Sequence, residues 1–353
     1  MDAAAGLDNP ATMALGEFEL IDRYFRRPVR RSPLGIGDDC ALLAPRPGMQ
    51  LAVSSDMLVE GRHFLSTVAP ERLGHKALAV NLSDLAACGA QPLAYTLAIS
   101  MPRVDEPFLA GLACGLHTLA EQHDIELVGG DTTAGPLNLC ITVFGEVPTG
   151  QALLRHGARP GDDLWVSHAI GGGIGDARLA LEVFRGNLVL PGEQFDRVRL
   201  AMELPQPRVA LGLALRGIAS AAIDLSDGLL GDLRHVLRRS GAAFHAGGEA
   251  GTSGDGPQAL GAWLQDEALP RSPILNHQPA AMQRECLLFG GDDYELLFTA
   301  ASAQRVAVER AAQGAGVAVA RIGQIVQTPG VQLLDAQSRP IALQGQAFDH
   351  FKT

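Results

Sequence analysis

Five times along this 353-residue chain an apolar run gives way to Gly or Ser and then to Asp. The acids are Asp39 after Ile36-Gly37-Asp38, Asp56 after Ser54-Ser55, Asp131 after Gly129-Gly130, the pair Asp224 and Asp227 around Leu225-Ser226, and Asp292-Asp293 after Gly290-Gly291. Carboxylates that converge on one place repel each other unless cations stand between them. Asp and Ser are hard oxygen donors; with few His and no paired Cys beside them they select Mg²⁺-type ions over Zn²⁺. Any one of these stretches reads equally well as an Asp-rich turn. Five together favour a site where several metal ions hold a polyphosphate, and the matching chemistry is phosphoryl transfer.

Such residues need elements to aim them. Leu51 to Asp56 reads as a buried strand that ends in its oxygen ligands, followed by a charged, turn-prone piece, 57–64, carrying His63. The spacing of Ala77, Val80, Leu82 and Leu85 predicts a helix over 73–88, with Asn81, Ser83 and Asp84 inside it. Asp competes for backbone hydrogen bonds in a helix interior, so three small polar residues there point to a polar task or a solvated face. Residues 16–27 and 105–123 read as helices. Residues 93–101 and 137–147 read as strands, and 125–128 as a short strand running into a Gly turn before Asp131. Past a Gly/Pro turn at 157–162, just after Arg155, a second unit begins. It holds a strand at 163–167, a Gly-rich loop at 171–175 that is either a weak phosphate cradle or a tight strand–helix turn, and a strand from Ala221 into Asp224. The expected layout is a disordered extension at 1–15, a first domain at 16–150 and a second at 151–353, with a mobile loop at 247–257. The pattern Ala-Val-Asn-Leu-Ser-Asp at 79–84 returns as Ala-Ile-Asp-Leu-Ser-Asp at 222–227, a hint of two related halves.

Composition narrows the function classes. The net charge is −11 and no Lys/Arg cluster follows a phosphodiester backbone, so nucleic acid is not an expected partner. Hydrophobic residues make up 47% but aromatics only 5%, so small aliphatics and 41 glycines do the packing, as in an α/β protein. No apolar run reaches the roughly 18 residues of a membrane span. The five cysteines are scattered and odd in number, which fits free thiols in a reducing compartment. No basic-then-apolar leader pattern stands at the start. A cytoplasmic protein with no membrane partner is expected.

The motifs also have a family look. Gly16-Glu17-Phe18-Glu19-Leu20-Ile21, Gly35-Ile36-Gly37-Asp38-Asp39-Cys40-Ala41, the run from Lys76 to Ala87, Gly129-Gly130-Asp131-Thr132-Thr133 and Ile223-Asp224-Leu225-Ser226-Asp227-Gly228 resemble the thiamine-monophosphate kinase family. That family belongs with aminoimidazole ribonucleotide synthetase and selenophosphate synthetase in one ATP-binding superfamily lacking a Walker A loop. The resemblance implies a two-domain α/β (α+β) fold, in which an N-terminal mixed sheet with helices forms a homodimer interface and a C-terminal α/β domain completes the substrate site. It implies ATP plus thiamine monophosphate giving ADP plus thiamine diphosphate, with several Mg²⁺ ions. It places the metals on Asp39, Ser54, Ser55, Asp56, Asp84, Asp131, Asp224 and Asp227, and the nucleotide on Gly130, Asp131, Arg155 and Ser226. His63, Asp292 and Phe348 fall at acceptor positions. Asp292 stands where the family often has Glu, and Phe348 where it often has Tyr or Trp. The alternatives are another ATP-using member of the superfamily, or a non-catalytic metal- or nucleotide-binding protein. A selenophosphate synthetase would want a reactive Cys near the N-terminus, and the first here is Cys40, inside an Asp motif.

Overall fold

The computed structural model describes residues 16–246 and 260–343. The expected extension at 1–15, the loop at 247–257 and Phe348 lie outside the described residues. A short helix α1 (Glu17–Leu20) runs into a π-turn, Ile21–Phe25.

Strict alternation builds the first sheet. In β1 (Met49–Val59) Ser54, Asp56 and Leu58 face inward, while Leu51, Val53, Ser55, Met57 and Val59 are exposed. Helix α2 (Pro70–Ala87) follows, then β2 (Gln91–Met101), helix α3 (Glu106–Gln122), β3 (Glu126–Ala134) and β4 (Asn138–Pro148). The sheet order is β1-β4-β2-β3, so β1 and β3 are its two edges. β1 and β4 pair antiparallel without a break from Met49↔Pro148 to Val59↔Asn138. α2 lies on the inner face and α3 packs along α2. Two glycines let these helices touch backbone to backbone: a Cβ on Gly74 would stand 2.1 Å from the Leu112 carbonyl, and one on Gly115 would stand 1.9 Å from that of Glu71.

The second sheet has seven strands. β5 (Asp163–His168) is followed by α4 (Asp176–Phe184), α5 (Gly192–Glu203), α6 (Val209–Ala214) and β6 (Ala221–Asp224). α7 (Leu229–Ala246), β7 (Gly261–Gln265), α8 (Pro273–Asn276), α9 (Ala280–Phe289), β8 (Leu296–Ala300) and α10 (Arg305–Ala315) come next, then β9 (Ala318–Val326), β10 (Gly330–Leu334) and β11 (Pro340–Ile341). Their order is β11-β10-β7-β9-β5-β8-β6. One face packs Leu164, Val166, Ile223 and Leu297 against α4, α7 and α9. The other face presents Trp165 and Phe298, stacked at 6.4 Å between ring centroids. These two join Leu78, Leu82, Leu211 and Val308 in a core that also serves the first sheet. α2 is therefore buried between the two sheets. Its Leu73, Leu78 and Leu82 have no exposed surface, and burying each stabilises the fold by about 2 kcal/mol.

Three local expectations need correction. The strand through Leu51 does not end at Asp56 but continues to Val59, because β4 supplies a partner for every residue. Gly129-Gly130-Asp131 is not a turn; β2 pairs with this stretch through Ala98↔Asp131, after a bulge at Tyr95/Thr96. Gly130 is required there, since a Cβ on it would sit 1.8 Å from the Leu97 carbonyl. The recurring six-residue pattern is not a repeated unit either: 79–84 lies inside α2, whereas 222–227 leaves the end of β6.

Candidate active site

A cleft of about 980 Å³ opens between the two sheets. Ser54, Asp56 and His63 line it from β1 and the turn beyond, and Lys76 and Asp84 from α2. Arg155 comes from the link between the sheets, Asp224, Ser226 and Asp227 from the end of β6, and Asp292 and Tyr294 from the loop before β8. Apolar residues, among them Phe64, Val68, Leu181 and Phe184, also line it.

α2 reaches both sides of this cleft. The backbone N–H of Asp56 donates to Asn81 Oδ1 at 3.1 Å, and Asn81 Nδ2 donates back to the Ala77 carbonyl. Ser54 Oγ donates to Asp84 Oδ2 at 2.5 Å. Ser83 Oγ donates to Asp224 Oδ2 at 3.1 Å, so the helical copy of the six-residue pattern meets the strand copy directly. The three polar residues inside the predicted helix have a polar task, and the solvated-face alternative falls away: Asn81 and Ser83 are buried, and Asp84 faces the cleft.

Burial raises the acids here, and crowding adds to it at Asp56, Asp224 and Asp232. Burial, then the charge of Asp84, lifts Asp56 to about 7, with Asp227 adding to it. Burial and the same Asp84 charge lift the buried Asp224 to about 7. Asp84 is raised by burial, against the Ser54 hydroxyl and the Arg155 charge. Behind them Asp232, buried in α7, goes to about 8 through burial and the charges of Asp224 and Asp227; it accepts the Asp227 backbone N–H at 3.2 Å. Half-buried carboxylates that repel one another are a donor set for a hard cation. Among the described residues, no group of three His, Cys, Asp or Glu side chains is already drawn round one point closely enough to hold an ion.

His63 Nδ1 accepts the Val59 backbone N–H at 3.0 Å, which leaves Nε2 as the protonated nitrogen. Ser55 does not join the cleft. Consecutive strand residues face opposite ways, and its Oγ meets Thr142 Oγ1 at 2.9 Å on the outer face. Gly130, Asp131 and Asp39 are also elsewhere, in a separate hollow of about 630 Å³ beside β3, walled by Phe18, Ile21 and Phe25. Asp131 belongs to the cross-strand row Met57–Cys140–Ala98 and Asp56 to the row Ile141–Leu97–Gly130, so within one chain they lie on opposite faces. The edges that carry them are roughly 14 Å apart, three strand spacings. Sequence reasoning gave no role to Lys76 or Tyr294. The signal for Lys76 was its spacing: an ammonium two helical turns before Asp84, in an apolar stripe, shares its face.

These features define a class: a two-sheet α/β protein whose acids gather in the groove between the sheets. Residues 37–147 match the family described as AIR synthase related protein, N-terminal domain. The chain is 42% identical to the thiamine-monophosphate kinase of Salmonella typhimurium over 348 residues, 97% of this chain and 100% of that one. The corresponding kinase of Bacillus subtilis is 30% identical, over 96% of this chain and 100% of that protein. The crystal structure of thiamine-monophosphate kinase from Stenotrophomonas maltophilia superimposes with a TM-score of 0.77 at 42% identity, covering 90% of this chain and 96% of that one. A structure described as AaThiL complexed with AMPPCP and TMP gives 0.70 at 26% identity, over 97% of this chain and 100% of that one. The chain belongs to the thiamine-monophosphate kinase family, a family of phosphotransferases.

Proposed function

We propose that this protein transfers the terminal phosphoryl group of ATP to thiamine monophosphate by direct in-line displacement, forming thiamine diphosphate and ADP. The observation that carries this reading is the convergence of Asp56, Asp84, Asp224 and Asp227, from both halves of the chain, in one cleft with Arg155 and an apolar wall. A relative of this fold has been solved with AMPPCP and TMP. The acceptor is a phosphate monoester with a second pKa of about 6, so at neutral pH it is already a dianionic nucleophile and no general base is assigned.

The cleft acids would hold Mg²⁺, and the bound ions supply charge neutralisation across the phosphates. The chain's own groups do the rest. Asn81 and Ser54 fix the strand and helix that carry Asp56 and Asp84. Arg155, exposed at the cleft rim, offers a forked guanidinium to a phosphate. His63 orients the acceptor through Nε2, and the wall around Phe64 and Val68 takes its organic part. Asp292 completes that side; the resemblance also assigns Phe348 to the acceptor, and that residue lies outside the described residues.

Asp39, Gly130 and Asp131 are assigned to the nucleotide and its metals. For them to act with Asp56 across the sheet, a second copy has to approach the outward face of β1. Leu51, Val53, Met57 and Val59 lie exposed in a row there, which supports a homodimer formed through the first sheet. Ser55 on that face fits an interface better than a metal site. Among the described residues no helix is long and apolar enough to cross a membrane. Free cysteines and a nucleotide co-substrate support action in the cytoplasm.

The test is to follow ADP and thiamine diphosphate with purified protein, ATP, Mg²⁺ and thiamine monophosphate. Equimolar formation of both products is expected. ADP released without thiamine diphosphate, or no turnover despite tight nucleotide binding, would overturn the assignment.

A further inference from the structure

Lys76 is 2% exposed, yet it is a charged residue in a helix packed between two sheets. Its Nζ stands 2.7 Å from Asp292 Oδ2, and the exposures of the two side chains differ sharply: 3% for the lysine and 34% for the aspartate. A buried ammonium is expensive to desolvate and persists where a partner is held in place for it. Here the partner is an acid that itself lines the cleft.

The backbone around Asp292 is held just as firmly. Gly291, Asp292 and Tyr294 have φ of 73°, 65° and 52°, so two side-chain-bearing residues adopt the left-handed region within one loop. Such strain persists only where the surroundings over-determine it. The Asp292 N–H donates to the Ser226 carbonyl at 2.9 Å, and the Tyr294 N–H to that of Leu225 at 2.8 Å. Between them Asp293 Oδ1 accepts the Gly175 N–H at 2.8 Å. The loop is thereby tied to the segment that carries Asp224 and Asp227. What the backbone leaves free at Asp292 is its short side chain; Lys76 fixes that from within α2, and the Tyr294 hydroxyl meets the same carboxylate.

We propose that Lys76 is a positioning residue: through its pair with Asp292 it aims one carboxylate at the acceptor, so that the pair sets acceptor recognition. This rests on the function proposed above. The carboxylate can take an N–H or a cationic ring from the acceptor. The same α2 carries Asp84, so one rigid helix sets the distance between the phosphate side and the acceptor side of the cleft. Asp292 reaches less far than a Glu would, and a fixed direction compensates for the missing methylene.

The experiment is a double-mutant cycle on the full chain, with Lys76→Met, Asp292→Asn and both together. ATP and thiamine monophosphate are varied separately, and folding is checked by melting. Lys76→Met is expected to raise the acceptor KM about tenfold and to change the ATP KM less than about twofold. The double variant is expected to lie within about twofold of the worse single one, because both changes break one pair. Effects that multiply, an ATP KM that rises in parallel, or an unchanged acceptor KM would overturn the inference. Should Lys76→Met not fold, the cycle is run with Lys76→Arg, whose broader head displaces the carboxylate. Its acceptor KM is then expected to rise at least about threefold with Asp292 present and not at all in the Asp292→Asn background; equal rises in both overturn it. Wild-type protein that makes no thiamine diphosphate defeats the underlying function, whereas an active wild type with independent effects defeats only this pairing.

Discussion

The cleft and the hollow beside β3 both carry aspartates, but under opposite physical conditions. In the cleft Asp56, Asp84 and Asp224 are wholly or partly buried; burial raises all three, and the charge of Asp84 raises the other two further. In the hollow Asp39 and Asp131 are exposed, so water solvates them. The cleft therefore stores repulsion that a bound cation would release, and the hollow does not. An acid can thus be costly to the fold and necessary to the chemistry, or merely useful to a ligand, and burial separates the two cases.

Replacing one acid in each place sharpens that contrast. Asp56→Asn is expected to lower kcat by about a thousandfold, as loss of a preorganised charge does. The same change should raise the melting temperature of metal-free protein by a few degrees, since it removes on the order of 1–2 kcal/mol of desolvation cost and repulsion after allowing for solvent screening. Asp131→Asn is expected to raise the ATP KM about tenfold and leave melting unchanged. Near-normal turnover of Asp56→Asn at saturating Mg²⁺ would end its metal assignment. If both variants raised the melting temperature alike, the contrast itself would be lost.

Arg155→Ala comes next in size. Its guanidinium is exposed at the rim and opposes the rise at Asp84 and Asp224. Removing it should raise the ATP KM by roughly fivefold to tenfold, with the fold intact by circular dichroism. A protein that unfolds instead would make Arg155 structural.

The smallest effect is on stability against pH. Asp56 and Asp224 titrate near 7 when folded and near 3.9 when unfolded. Between those values the folded state keeps protons that the unfolded chain has released. Their contribution is therefore full below about 4 and is lost as pH rises through 7. In EDTA the melting temperature should fall between about pH 4.5 and 7, with Asp232, at about 8, extending the fall. Excess Mg²⁺ should flatten the curve. A melting temperature that rises over this interval would contradict the crowding.

Much of this was legible in sequence where one signal dominated. The helix at 73–88 and the strand at 163–167 stand out because their apolar spacing is unambiguous, and the structure places α2 at Pro70–Ala87 and β5 at Asp163–His168. The reading failed where a residue served two masters. Ser54 and Asp56 looked like the end of a strand because polarity normally marks an end; here the polar positions face a cleft while β4 keeps the strand running. The match between 79–84 and 222–227 looked like a duplicated unit, yet tertiary context makes one helix and the other a strand exit. Lys76 was passed over because its partner lies 216 positions away, beyond the reach of any local pattern. The same blindness hid the separation of Asp131 from Asp56, which only sheet order reveals.

The burial of α2 between both sheets bears on how this protein could be divided. A chain cut near residue 150 would leave the first fragment with Leu78 and Leu82 stripped of Trp165, Phe298 and Val308, and the second with those rings facing water. Leu82→Ala in the intact chain should already cost about 2–5 kcal/mol. Separately expressed halves are thus expected to be insoluble, and co-expressed halves to recover only by finding each other. Heating the whole chain should give a single calorimetric transition rather than two. For a fold drawn as two sheets, the indivisible unit is the pair, and the helix between them is its keel.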